Sequence, residues 1–143
     1  MTAVRRTPVM ELIWKVHKVY YRWSGGRIGG RVGPMSVLMI TIRGRRSGRP
    51  RSVALNYLED AGRYIVFTTH AGEDREPAWW LNLRDAGVAD AQIGSRHLRV
   101  RAHAAQGAER ERLWSRSKDI DSAHAVYEAR TKRRIKVVVL EPI

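Results

Sequence analysis

The stretch Ser36–Asp60, SVLMITIRGRRSGRPRSVALNYLED, decides the fold. Ser36 to Ile42 is almost continuously apolar, as a strand buried on both faces must be. From Ser52 the pattern alternates: Val53, Leu55 and Tyr57 share one face, and Ala54, Asn56 and Leu58 the other. Between the two lies RGRRSGRPRS (Arg43–Ser52), with five arginines, two glycines and a proline in ten residues. Two hydrophobic strands joined by so short a Gly/Pro-bearing turn predict an antiparallel pair.

The rest of the chain extends this hairpin. Asp60-Ala61-Gly62 reads as a turn and RYIVFTTH (Arg63 to His70) as a third strand. Pro77 opens a helix through PAWWLNLRDA. VADAQIG and RHLRVRAHAA form a hairpin around Gly94-Ser95, with Leu98, Val100 and Ala102 inward and Arg99, Arg101 and His103 outward. GAERERLWSRSKD and DSAHAVYEARTKR are two helices, the second capped by Asp121 or Ser122, and IKVVVLEP is a closing strand. About six strands with few β-α-β units argue against a Rossmann fold. The expectation is an α+β protein, a small closed or half-closed barrel that satisfies its strand edges, with helices packed outside.

Upstream, Val9–Trp23 (VMELIWKVHKVYYRW) repeats Ile13, Val16, Val19/Tyr20 and Trp23 at helical spacing, with Glu11, Lys15, Lys18 and Arg22 opposite. Two compatible readings are a helix packed on the domain and a helix lying on an anionic membrane surface. SGGRIGGRVGPM follows as a glycine-rich linker. The expected organisation is residues 1–34 as helix and linker, then 35–143 as the barrel.

The 143 residues are enough for one domain with a real core. With no cysteine, disulfides, cysteine-ligated metals and thiol nucleophiles are excluded. No signal-peptide pattern or membrane-spanning run is present, and the expected location is cytoplasmic, at most peripheral to the inner membrane face. A net charge of +13 implies anionic partners.

Three readings compete for the basic turn. Nucleic acid is disfavoured: minor-groove arginine hooks sit in disordered chain, and no helix-turn-helix, zinc finger or aromatic platform accompanies this one. A merely solvated turn does not need five mutually repelling arginines. A phosphate cradle suits it better. Gly44 and Gly48 let backbone approach a ligand, Ser47 offers a hydroxyl, and Arg45, Arg46 and Arg51 supply forked donors. Neither G-x-x-x-x-G-K-[ST] nor G-x-G-x-x-G is present. There is no G-x-S-x-G elbow, and the five histidines lack metal-ligand spacing, so no metal site is expected. Asn82, polar in an otherwise apolar helix, needs partners if buried.

Taken together, GRRSGRPRSVALNYLEDAGRYIVFTTHAGEDREPAWWLNL, RVRAHAAQGAERERLW and VVVLEP resemble the deazaflavin (F420)-dependent nitroreductase family, actinobacterial F420H2-dependent oxidoreductases of the split β-barrel, flavin-reductase-like class. The resemblance runs from about Val37 to Pro142. It implies a site for coenzyme F420, a deazaflavin with a phosphate and a polyglutamate tail, with FMN as the alternative cofactor. By similarity, Arg45, Arg46 and Ser47 hold phosphate and tail, and Arg51, Ser52, Val53, Ala54, Leu55 and Asn56 run beside the cofactor. Phe67, Thr68, Thr69 and His70 line the deazaflavin, and Ala78, Trp79, Trp80, Leu81 and Asn82 flank the phosphate end. Tyr127 matches a tyrosine that closes over the substrate, while His124 and His70 stand near the acceptor pocket as proton donors or pocket walls. The implied activity is hydride transfer from reduced F420 to a quinone or a related conjugated or nitro acceptor. An FMN-binding reductase or a non-catalytic F420 carrier of the same fold is the alternative, and a homodimer is conceivable. Asn56, His70 and His124 depart from the nitroreductase pattern, which has tyrosine, lysine and tyrosine there, and this bears on the acceptor more than on the cofactor.

Overall fold

In a computed structural model of the chain, residues 31–32 and 34–143 are described. The helix expected at Val9–Trp23 and most of the glycine-rich stretch lie outside them. The strands are β1 (Arg31–Val32), β2 (Met35–Arg43), β3 (Pro50–Asp60), β4 (Arg63–Phe67), β5 (Val88–Ile93), β6 (Arg96–Ala104) and β7 (Val137–Pro142). The helices are α1 (Ala78–Ala86), α2 (Gly107–Ile120) and α3 (Ala123–Arg130), with a 3-10 turn at His70–Gly72. The hairpin read from Ser36–Asp60 is β2–β3, in the register Ile42↔Arg51 to Ser36↔Tyr57.

Every pairing is antiparallel, in the order β1-β2-β3-β4-β7-β6-β5. Met39, Ile40 and Thr41 of β2 also pair with Gln92, Ala91 and Asp90 of β5, which closes β2 to β7 into a six-stranded barrel. β1 adds to the start of β2 only, where Arg31 faces Ser36.

Side-chain alternation makes two cores. Leu38, Ile40, Ile42, Tyr64, Val66, Val100, Val138 and Leu140 fill the barrel, against Trp80 and Leu83 of α1. Met35, Leu58, Ile65, Phe67, Val137 and Val139 pack outside it, under Leu113 and Trp114 of α2 and Ile135. β4 and β7 are therefore buried on both faces, which is why RYIVF and VVVL read as continuous apolar runs rather than alternating ones.

Several boundaries differ from the sequence expectation, two of them near the site. The third strand stops at Phe67 instead of reaching His70. The Thr68 N–H still donates to the Lys136 carbonyl (3.1 Å), but the Lys136 N–H turns to the Thr68 hydroxyl (2.8 Å), and the chain then turns left-handed at His70. Pro77 is the extended residue before α1, not its first turn. Ahead of α3, Ser122 occupies the cap position, and the Asp121 carboxylate accepts the Ala123 N–H (3.0 Å).

Candidate functional site

The basic turn is a closed backbone loop. Gly44 N–H donates to the Arg49 carbonyl, and Gly48 N–H to the Gly44 carbonyl, both at 2.8 Å. A Cβ on Gly44 would sit 2.8 Å from Ser47 Oγ and 3.2 Å from the Arg49 carbonyl oxygen, and Gly48 has φ +72, so both glycines are required. The Ser47 hydroxyl turns inward and accepts the Arg49 N–H (3.2 Å).

This loop is clasped to α1 by Asn82. Its Oδ1 accepts both the Arg45 main-chain N–H (3.1 Å) and Arg45 Nη1 (2.9 Å). Asn82 is 8% exposed; the partners that the sequence left unassigned are thus Arg45's two donors. Arg43, Arg46, Arg49 and Arg51 are exposed and form no ion pair among the described residues. The contrast is with Asp60, where Arg112 and Arg63 donate to the carboxylate and hold its pKa far below the usual range.

β3 divides the candidate residues Arg51 to Asn56 between two faces. Val53 and Leu55 pack on the barrel core, while Ser52, Ala54 and Asn56 face the other way. Ser52 Oγ lies 2.8 Å from Thr41 Oγ1. The two border a groove of 670 Å³ that runs from Pro50 to His97, Leu98 and Arg99. Asn56 shares its face with Leu58, the side on which Phe67, Trp114 and Tyr127 pack. Its Oδ1 is buried without a hydrogen-bond partner among the described residues. In α1, Trp80 is buried against the core and Trp79 sits edge-on to it, while Ala78 is exposed.

The segment after β4 turns left-handed. His70, Ala71 and Gly72 have φ of 44°, 54° and 78° in succession. A left-handed non-glycine residue costs about 1–2 kcal/mol, so neighbouring structure must hold this turn. Gly72 lies against α3, where a Cβ would come within 3.3 Å of the Tyr127 backbone and 3.2 Å of Arg130 Cβ. The His70 ring is held by the Arg75 carbonyl at Nδ1 (3.1 Å) and by Glu73 at Nε2 (3.4 Å). Arg133, inside the run ARTKRRIK that reads as surface charge, also bonds this segment. Sequence reasoning missed it, because nothing in a basic run marks which member turns inward.

His124 is a core residue. It is 3% exposed, stacks on Trp114 at 5.5 Å and meets the edge of Phe67 at 5.2 Å. Burial pushes its pKa down, and Asp121 only partly offsets this. Ser117, His124 and Asp121 stand in the order of a nucleophile relay, with 3.2 Å from Ser117 Oγ to Nδ1 and 3.9 Å from Nε2 to Asp121. Ser117 is fully buried and its hydroxyl donates to the Trp114 carbonyl (2.8 Å), so no substrate reaches it. Tyr127 packs at the rim of the same cluster, its ring 6.5 Å from that of His124. Among the described residues no acidic, histidine or cysteine cluster can hold a metal ion.

Residues 13–142 match the family model described as F420H(2)-dependent quinone reductase. An F420H(2)-dependent quinone reductase of Mycobacterium tuberculosis is 31% identical over 131 residues, covering 88% of this chain and 87% of that protein. A second protein of that organism, named a putative F420H(2)-dependent quinone reductase, is 34% identical over 109 residues, 76% of this chain and 92% of its own. Among solved structures, an F420-H2 dependent reductase, FDR-A, superposes with a TM-score of 0.68 at 28% identity, over 73% of this chain and 93% of that one. A protein solved as a domain-swapped dimer superposes at 0.71 with 23% identity, over 94% and 100% of the two chains, and shares the fold.

Proposed function

This chain belongs to the F420H(2)-dependent quinone reductase family, and from that premise we propose that it is an oxidoreductase passing a hydride from reduced F420 to a quinone or a related conjugated or nitro acceptor. The observation that carries the reading is the Gly44–Arg49 turn: exposed guanidiniums without carboxylate partners among the described residues, on a loop pinned by its own backbone bonds and by Asn82.

The residues present fit the cofactor. Arg46, Arg49 and Arg51 suit the phosphate and glutamate carboxylates, which the planar guanidinium pairs with through two parallel N–H donors. Arg45 contributes its remaining donors, since Nη1 is engaged by Asn82. Asn56 Oδ1 is an acceptor with an open valence on the face of Tyr127, suited to a ring N–H. The Thr69 hydroxyl makes no hydrogen bond among the described residues and suits a ring oxygen or nitrogen. Bound F420H2 supplies the hydride at C5 of its ring. The chain's part is to seat the cofactor by its charged end, to orient the ring against Asn56, Thr69 and His70, and to shield the acceptor beneath Tyr127. The His70 imidazole, with Nδ1 on the Arg75 carbonyl and Nε2 beside Glu73, would form a wall of the acceptor pocket.

The division into residues 1–34 and 35–143, a peripheral membrane association through residues 9–23 and a homodimer belong to the same proposal. The amphipathic helix that the spacing of Val9–Trp23 predicts would bring the site to a lipid-soluble quinone. No described helix is long and apolar enough to cross a membrane.

The test is a titration of the protein with F420, followed by tryptophan fluorescence, and F420H2 oxidation with menadione. Arg46→Ala and Arg51→Ala should each weaken binding by about 1.5–3 kcal/mol. Unchanged dissociation constants in both would refute the cradle. A protein that purifies yellow and ignores F420 would point to FMN instead.

A further inference from the structure

Arg133 follows α3 on the connection to β7, and its side chain is 11% exposed. Its donors go to three acceptors: Nε to the Glu73 carbonyl (3.0 Å), Nη2 to the Thr69 carbonyl (3.2 Å) and Nη1 to Thr68 Oγ1 (3.3 Å). Among the described residues its nearest carboxylate is Glu76, at 3.7 Å. The three acceptors flank the left-handed turn His70–Gly72 on both sides, so one guanidinium bridges its entrance and its exit. Thr131 Oγ1 adds a second bond to the Glu73 carbonyl (3.1 Å), and Lys132 N–H bonds Asp74 (2.8 Å). Only a planar fork with several fixed donors reaches all three acceptors at once; an ammonium is a point charge on a flexible stem.

We propose that Arg133 is a positioning residue of this site: its fork locks the His70–Gly72 turn in its left-handed conformation, which sets Thr69 and His70 against the reacting partners. This rests on the functional reading above. Cofactor affinity resides mainly in the arginine turn at the other end of the site. Loosening the His70–Gly72 turn therefore misaligns the reaction without releasing the cofactor, and a misplacement on the order of 1 Å costs about 100-fold in rate.

The experiment compares Arg133→Met and Arg133→Lys in the full chain. Amide hydrogen exchange is measured without cofactor, and F420 affinity and menadione turnover with it. In Arg133→Met the amides of Gly72 and Glu73, which bond Thr69 and His70 carbonyls, should exchange roughly tenfold faster while barrel amides keep their protection. Turnover should fall about 100-fold, with F420 affinity within about threefold of the starting protein. Arg133→Lys, which keeps the charge and serves if the methionine variant does not fold, should restore neither exchange protection nor turnover. Unchanged Gly72 and Glu73 exchange, or full turnover in the lysine variant, would overturn the proposal. A wild-type protein that neither binds F420 nor oxidises F420H2 would sink the functional reading, and the exchange measurement would then decide Arg133 alone.

Discussion

Asn82→Ala tests whether the arginine turn is built in advance or shaped by what it binds. The substitution removes one oxygen that accepts two donors of Arg45, at 3.1 and 2.9 Å. A neutral hydrogen bond contributes about 0.5–1.5 kcal/mol net and one to a charged group about 1.5–3. Arg45 is exposed, so both donors can turn to water, and the lower ends apply: about 2 kcal/mol of stability, or roughly 5–8 °C in melting temperature for a domain of this size. The effect on binding follows separately. Gly44–Arg49 stays closed by its backbone bonds, so only Arg45, which makes both lost bonds, gains freedom. Fixing a residue's backbone costs about 1–2 kcal/mol, which predicts an F420 dissociation constant raised roughly 5- to 30-fold. Asn82→Asp keeps both acceptor bonds and adds a charge beside Arg45. It should melt like the parent yet bind the polyanion more weakly, with a shallower salt dependence. Thermal melts and F420 titrations at two ionic strengths read both quantities. An alanine variant with parental melting temperature and affinity, or an aspartate variant as unstable as the alanine one, would refute the reasoning.

Gly72→Ala puts a Cβ 3.2–3.3 Å from Arg130 Cβ and the Tyr127 backbone at φ +78. It should destabilise by about 2–3 kcal/mol and shift α3, measured by urea denaturation. His124 holds its proton less readily folded than unfolded, because burial depresses its pKa. Its contribution is therefore complete above the unfolded value near 6.5 and is lost as pH falls below it. Melting temperature should decline from pH 7 toward 5 in the parent and much less in His124→Phe. Asp60, held low by Arg112 and Arg63, contributes stability that is complete above the ordinary carboxylate value of 3.8 and fades as pH falls below it. Asp60→Asn should abolish this second, acidic phase of the melting curve and leave the first.

Much of the barrel was legible because its strands carry period-two patterns or continuous apolar runs bounded by glycine turns. The β2–β3 hairpin, the Gly94-Ser95 turn and the outward Arg99, Arg101 and His103 stand as read. The register that brings β2 against β5 was not legible, since closure depends on shear between strands distant in sequence. That the arginine turn is a tight, exposed, glycine-bearing loop was legible from its charge and glycines. That Asn82 grips it was not, because an amide in an apolar helix announces a need for partners without naming them. His124 was read toward the acceptor pocket from its place in a motif, and tertiary packing set it between Trp114 and Phe67 instead. The left-handed run at His70–Gly72 left no signal, as two of its three residues are not glycine.

The strand order has a consequence for synthesis. β7 lies between β4 and β6 and pairs with both, yet it follows every other strand in the chain. While the ribosome has still to deliver Val137–Pro142, the nascent β4 and β6 each present an unpaired edge, and β4 shows bare apolar faces as well. Such edges recruit other chains. The final strand is thus a keystone, and a ribosome stalled before it leaves an open sheet for chaperones to guard.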